Sequence, residues 1–155
     1  MEDEMKVQDL MTSPAYSCTP DTSLAAAARA MDDYGCGALP VLDASGHPVG
    51  ILTDRDVCMA VSRVNRYPAA IPAREAMTRD PVTCAPENEI GDVLRTMAAM
   101  RIRRLPVVNG EGCLVGILSQ SDVVSSVQDA QSFDSPVLRR LLARSGRTQT
   151  TVSES

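Results

Sequence analysis

The alternation of apolar and polar residues divides most of the chain into short strands and amphipathic helices. Residues 20–35 and 86–100 place apolar side chains three and four positions apart, which predicts a helix in each segment. Each helix is followed by two short apolar runs joined by a Gly-containing turn, which predicts a β-hairpin. A short extended piece precedes each helix, and another helix follows each hairpin. The predicted order is strand–helix–strand–strand–helix, written twice.

The two predicted helices, 23–35 and 89–100, are preceded by residues suited to capping. Thr22 or Ser23 in the first, and Asn88 in the second, can accept a hydrogen bond from a free backbone N–H group. These side chains therefore set the expected helix starts.

A constant offset of 66 residues aligns residues 7–61 with residues 73–127 without a gap. Seventeen of the 55 aligned pairs are identical, far more than chance would give, so the chain contains a duplicated unit. The predicted organisation is a first repeat at 7–65, a linker at 66–72 and a second repeat at 73–128.

The predicted fold class is α/β (α+β), with a three-stranded sheet and its helices in each repeat. Such a sheet leaves half of its apolar surface bare, and a second copy packed by a pseudo-twofold axis would cover it. Beyond the repeats, the pattern predicts a short helix at 135–146 and a disordered tail at 147–155.

Composition excludes several classes of function. Aromatic residues are 3% of the chain and the net charge is −5, so the core must be aliphatic and nucleic acid is not an expected partner. No apolar stretch is long enough for a membrane span, and the start of the chain does not resemble a signal peptide. Five cysteines without a C-x-x-C pair, and one His, do not match a zinc site. We expect reduced thiols, a cytoplasmic location and no catalytic activity.

The stretch "GILTDRD" (50–56) recurs as "GILSQSD" (116–122), and each copy places Asp three residues after a hydroxyl residue. Thr53 with Asp56, and Ser119 with Asp122, match a helix capping box. Each predicted helix also follows its strand without a loop, which places its free N–H groups where anions bind readily. A helix cap and a ligand site are both compatible with this pattern.

The duplicated pattern resembles the CBS-domain family, named after cystathionine β-synthase, whose domains pair into Bateman modules. The resemblance covers about residues 7–128 and rests on "DLMT" and "EAMT" and on the two "LPV…G…VGIL(T/S)-x-x-D" blocks. It implies two clefts, related by the pseudo-twofold axis, that commonly hold adenine nucleotides. It also implies that Thr53 and Ser119 contact phosphate, and that Asp56 and Asp122 accept the ribose hydroxyls.

Five further residues are candidate ligand contacts, each with an alternative structural role. Arg103 and Arg104 match the family's basic pair before Leu-Pro and would bind phosphate in the Asp122 cleft or, across the axis, in the Asp56 cleft. Alternatively, they are solvated or pair with acidic residues of a partner subunit. Arg55 is a further phosphate candidate or an exposed first-turn residue. Tyr16 and Val82 lie where the family places groups against the base, and Tyr16 is equally suited to the core.

The function predicted from the sequence is a non-catalytic ligand-sensing module. Its regulatory ligand would be AMP, ADP, ATP or a related adenosyl compound, and it would need no cofactor. The Ala- and Met-rich faces of helices 23–35 and 89–100 predict a homodimer, which would report to an effector protein. The alternative is a structural adaptor whose clefts are empty.

Overall fold

The structure, a computed structural model, describes residues 5–130, with side chains described as far as residue 126. The helix predicted at 135–146 and the tail predicted at 147–155 lie outside these residues. In chain order the elements are α1 (Val7–Leu10), α2 (Leu24–Tyr34), β1 (Ala38–Leu42), β2 (Pro48–Thr53), α3 (Asp54–Val64), β3 (Thr78–Arg79), α4 (Ile90–Met100), β4 (Arg104–Val108), β5 (Leu114–Ser119) and α5 (Gln120–Ala130). Two short 3₁₀ turns, Pro68–Ala70 and Ala73–Glu75, connect the repeats.

The helix starts agree with the prediction in the first repeat and differ in the second. Ser23 caps α2 by accepting a hydrogen bond from the backbone N–H of Ala26 at 3.1 Å. Asn88, by contrast, is not the cap of α4. Its side chain accepts from the N–H of Ala85 at 2.7 Å and so closes the turn before the helix, and the helix begins one residue later.

The predicted first strand of each repeat is reduced to one bridge. Cys18 pairs in parallel with Val41 of β1, and Cys84 pairs in the same way with Val107 of β4. A longer parallel ladder would need an N–H group at residue 40 to meet the carbonyl of Tyr16, and Pro40 has none. Pro106 imposes the same limit in the second repeat.

The opening segment of each repeat pairs with the last strand of the other repeat. The backbones of Thr12 and Ile117 of β5 exchange hydrogen bonds of 2.9 and 3.1 Å. Thr78 of β3 pairs in the same way with Ile51 of β2. The first sheet therefore has the order β1–β2–β3 and borrows β3 from the second repeat, while β4 and β5 form a two-stranded sheet. The three-stranded sheet expected inside each repeat is corrected accordingly.

The two hydrophobic cores show the same exchange. The first core packs α2 against β1 and β2 around Leu24, Leu39 and Leu52, and it also contains Ala73 from the second repeat. The second core packs α4 against β4 and β5, and it contains Val7 from α1. Val7 and Ala73 are both fully buried and are separated by the repeat offset of 66. Each core is therefore completed by the other repeat.

Among residues 5–130, no helix has both the length and the apolar character required to cross a bilayer.

Candidate functional site

Both Thr/Ser-x-x-Asp stretches form helix capping boxes. The backbone N–H of Thr53 donates to Oδ2 of Asp56 at 2.9 Å, and the N–H of Asp56 donates to Oγ1 of Thr53 at 3.1 Å. Ser119 and Asp122 make the equivalent bonds at 3.0 and 3.1 Å. The capping interpretation is therefore confirmed for both repeats.

The caps leave half of each carboxylate for other partners. Each cap uses Oδ2 of its Asp, and within residues 5–126 no hydrogen bond is found at Oδ1 of Asp56 or Asp122. Both aspartates are partly exposed. Because an ionised carboxylate is an acceptor only, Oδ1 is suited to a hydroxyl donor such as that of a ribose. Capping and ligand binding are thus compatible in one residue.

A cleft of about 440 Å³ lies between the two repeats beside Asp122. The second repeat contributes Arg104, Ser119, Ser121 and Asp122 to its wall. The first repeat contributes Thr12, Tyr16, Tyr34 and residues 35–38. We call this the Asp122 cleft. It brings together four residues that the sequence singled out: Tyr16, Arg104, Ser119 and Asp122.

Two stacked tyrosines form one wall of the Asp122 cleft. The ring centroids of Tyr16 and Tyr34 are 3.6 Å apart and their planes differ by 8°. About half of each side chain is exposed, 49% for Tyr16 and 52% for Tyr34. Tyr16 is therefore not a core residue, and the pair offers a flat aromatic surface to a planar ligand.

Tyr34 was not predicted as a site residue. It ends α2 and is followed by Gly35, whose left-handed conformation (φ 62°) turns the chain toward β1. A signal was present in the sequence, because Tyr34 is one of only three tyrosines and the repeat offset gives it a counterpart, Met100, at the end of the second helix.

The predicted basic pair is divided by the strand geometry. Arg104 is the first residue of β4, lies opposite Ser119 in the ladder and lines the Asp122 cleft. Arg103 is exposed and is not part of that wall. Arg104 has a negatively charged neighbour, Asp54, on the other side of Gly37. A Cβ atom placed on Gly37 would lie 2.9 Å from Nη2 of Arg104 and 3.4 Å from Oδ2 of Asp54. The one basic group in this wall is therefore close to a carboxylate.

The other predicted site residues belong to the counterpart of this cleft under the repeat offset. At an offset of 66 residues, Val82 and Met100 correspond to Tyr16 and Tyr34. In the same way, Thr53 and Asp56 correspond to Ser119 and Asp122. Arginines stand at three further positions of the set: Arg101, Arg103 and Arg55 correspond to Gly35, Gly37 and Ser121. We call this set, which is defined by the repeat offset, the Asp56 cleft. Its two sides carry the same capping box and the same strand exchange, Thr78 with Ile51, as the Asp122 cleft.

Two of the five thiols, those of Cys18 and Cys84, are poor nucleophiles at neutral pH. Burial raises the pKa of both Cys18 and Cys84 to about 11, so both remain protonated at neutral pH. All five cysteines are free. Among residues 5–130, no cluster of three or more His, Cys, Asp or Glu side chains is arranged to hold a metal ion.

Comparison with known proteins identifies the fold family. The family model for the CBS domain matches residues 7–63 and again residues 73–129. The Bacillus subtilis (strain 168) protein YlbB is 36% identical over 124 residues, which cover 79% of this chain and 82% of YlbB.

Two solved structures share the architecture. The CBS domain pair of protein MJ0100, in complex with 5′-methylthioadenosine and S-adenosyl-L-methionine, has a TM-score of 0.74 and 25% identity, covering 83% of this chain and 99% of that one. CBSX2 in complex with AMP has a TM-score of 0.71 and 26% identity, covering 81% and 98%. The chain, with two matched repeats and this architecture, belongs to the CBS-domain family as a CBS domain pair.

Proposed function

We propose that the protein is a non-catalytic regulatory module that binds an adenosyl ligand, such as an adenine nucleotide, between its two repeats. The observation that carries this proposal is the convergence of an exposed tyrosine stack, Arg104 and the Ser119–Asp122 cap on one cleft of about 440 Å³. The size lies in the range of small-molecule sites. The ligands named for the MJ0100 pair and for CBSX2 all contain adenosine, which supports the choice of ligand class.

Each part of the Asp122 cleft would contact a different part of the ligand. The purine would lie on the face of the Tyr16–Tyr34 stack, as planar π-systems do on exposed aromatic rings. Oδ1 of Asp122 would accept the ribose hydroxyls. A group at the 5′ position would extend toward Arg104 and the amino end of α5, which form the polar end of this cleft.

Regulation would follow from the position of the cleft between the repeats. Tyr16 and Tyr34 belong to one repeat, and Ser119 and Asp122 belong to the other. A ligand that contacts both would stabilise the relative placement of the repeats that fits it best, and by no more than its difference in affinity between placements. A partner protein that recognises one placement would then respond to the ligand.

Isothermal titration of the full chain with AMP, ADP, ATP, S-adenosylmethionine and 5′-methylthioadenosine tests the proposal. We expect saturable heat with at least one of them. The adaptor alternative predicts no heat and no thermal shift with any of these compounds.

Asp122→Asn probes the ribose contact without removing the cap, because the amide oxygen can still accept from the N–H of Ser119. The amide nitrogen that replaces Oδ1 cannot accept from a ribose hydroxyl, so a hydrogen bond to a charged acceptor, worth about 1.5–3 kcal/mol, is lost. We therefore expect the affinity for the ligand of this cleft to fall roughly 10-fold or more. Asp92→Asn, an exposed change on α4, is the matched control. Equal affinities for all three proteins would contradict the ribose contact.

A further inference from the structure

The two clefts differ in charge although they share one plan. The Asp122 cleft has one basic side chain, Arg104, and Asp54 lies close to it. The Asp56 cleft has arginine at three positions where the Asp122 cleft has Gly or Ser. Arg101 corresponds to Gly35, Arg103 to Gly37 and Arg55 to Ser121. All three arginines are exposed. Among the described residues, the ion pairs made by arginine involve Arg66, Arg74 and Arg95, so none of the three arginines of the Asp56 cleft is held in an ion pair.

The backbone at Arg101 is an independent observation. Arg101 ends α4 in the left-handed conformation, with φ 55°, while its counterpart Gly35 has φ 62° at the end of α2. Glycine adopts this conformation without steric cost, whereas a side chain makes it unfavourable. An arginine therefore occupies a position where the fold favours glycine. Its side chain is not needed for the core, because it is exposed.

The base-binding surfaces also differ. Where the Asp122 cleft has Tyr16 and Tyr34, the Asp56 cleft has Val82 and Met100, and Met100 is 56% exposed. Val82 and Met100 offer apolar contact without an aromatic face. The Asp122 cleft is thus built around the base, and the Asp56 cleft around negative charge.

We propose that the two clefts divide adenosyl ligands by charge. The Asp56 cleft takes the polyphosphate form through Arg55, Arg101 and Arg103, and the Asp122 cleft takes a form with little or no negative charge through the tyrosine stack. This inference rests on the proposed function and assigns a ligand class to each cleft. Guanidinium groups suit this role because each binds phosphate oxygens through two parallel hydrogen bonds.

Arg101→Gly is the central test, because it installs the residue that the first repeat uses at the same place. We expect the affinity for ATP, measured by titration of the full chain, to fall about 10-fold or more, since a charge-assisted contact is lost. The melting temperature should equal or exceed that of the wild type, because glycine tolerates the left-handed backbone. Arg29→Gln, which removes one exposed charge from α2, should change neither value.

Three substitutions test which cleft binds which ligand. Asp56→Asn should weaken ATP binding and leave adenosine binding unchanged. Asp122→Asn and Tyr16→Val, the latter taking the counterpart residue Val82, should weaken adenosine binding and leave ATP binding unchanged.

The assignment is overturned if ATP binding responds to Asp122→Asn and not to Asp56→Asn, or if Arg101→Gly behaves like Arg29→Gln. In both cases the wild type still binds nucleotide and the proposed function stands. If the wild type binds neither adenosine nor ATP, the proposed function fails together with the assignment.

Discussion

At the scale of single residues, the geometry of Asp56 and Asp122 is compatible with two tasks that the sequence alone left as alternatives, capping a helix and binding a ligand. The Oδ2 atom of each closes a capping box, and Oδ1 has no hydrogen bond in the described part of the chain. A cap can therefore be retained for stability while the same side chain binds a ligand. The choice between cap and site depends on which oxygen is used, and residue spacing contains no information about that.

The raised pKa values of the buried thiols predict a pH dependence of stability. Burial raises the pKa of Cys84 from 9.0 to about 11, and Cys18 shows the same shift. The folded state holds these protons more tightly than the unfolded state, so their contribution to stability is complete below about pH 9 and is lost as the pH rises toward 11. We expect urea denaturation of Cys84→Ala to show a shallower loss of stability than the wild type over that range.

The exposed Cys58 is the matched control for this prediction. Cys58→Ala should follow the wild-type pH profile, because no buried thiol is removed. A Cys84→Ala profile parallel to that of the wild type between pH 9 and 11 would contradict the burial argument.

At the scale of elements, local patterns predicted the helices well and the first strands poorly. The starts and ends of α2 and α4 lie within one residue of the predicted ranges 23–35 and 89–100, because apolar periodicity and capping are properties of the segment itself. The predicted first strands failed because strand pairing depends on the neighbour. Pro40 and Pro106 each withhold the N–H that a longer ladder requires.

The close approach of each opening segment to a glycine predicts which glycines cannot be replaced. A Cβ atom on Gly116 would lie 2.8 Å from Sδ of Met11 and 3.0 Å from the carbonyl oxygen of Thr12. Because Thr12 is hydrogen-bonded to β5, the backbone cannot withdraw freely. We expect Gly116→Ala to lower the free energy of unfolding by about 1–3 kcal/mol, measured by urea denaturation.

Gly110→Ala is the control, because nothing lies within 4 Å of its Cβ position and its φ is not positive. It should leave stability nearly unchanged. If Gly116→Ala were as stable as Gly110→Ala, the Met11–Thr12 contact would not be as tight as the structure indicates.

At the scale of the whole molecule, the duplication and the fold family were predictable, and the exchange between repeats was not. The offset of 66 revealed two equivalent units, and those units pack as expected for a CBS domain pair. Which sheet edge receives Thr12 or Thr78 is a long-range choice, since both edges present the same sequence, "VGIL". The lining of the cleft was also only partly predictable. The sequence pattern grouped Arg103 with Arg104, but only Arg104 lines the Asp122 cleft.

Assembly into a homodimer remains a prediction, and the structure suggests a different surface for it. Met31 of α2 and Met97 of α4, the helices whose faces predicted dimerisation, are buried in the protein's own cores. Within α3, by contrast, no residue is fully buried, and Met59 and Val64 are exposed. We expect light scattering at tens of micromolar to show a dimer, roughly the range in which weak association persists. Met59→Glu should shift it toward monomer, and Ala44→Glu, in the exposed turn between β1 and β2, is the charge-matched control.

The burial of Val7 in the second core and of Ala73 in the first has a consequence for synthesis. As the chain leaves the ribosome, the whole first repeat emerges before Ala73, which completes its core, has been synthesised. Val7 is synthesised early, but the second core, in which it is buried, can form only after residues up to Val123 have been synthesised. Folding should therefore be a single late event that engages both repeats together, as in a domain-swapped dimer whose two halves have become one polypeptide.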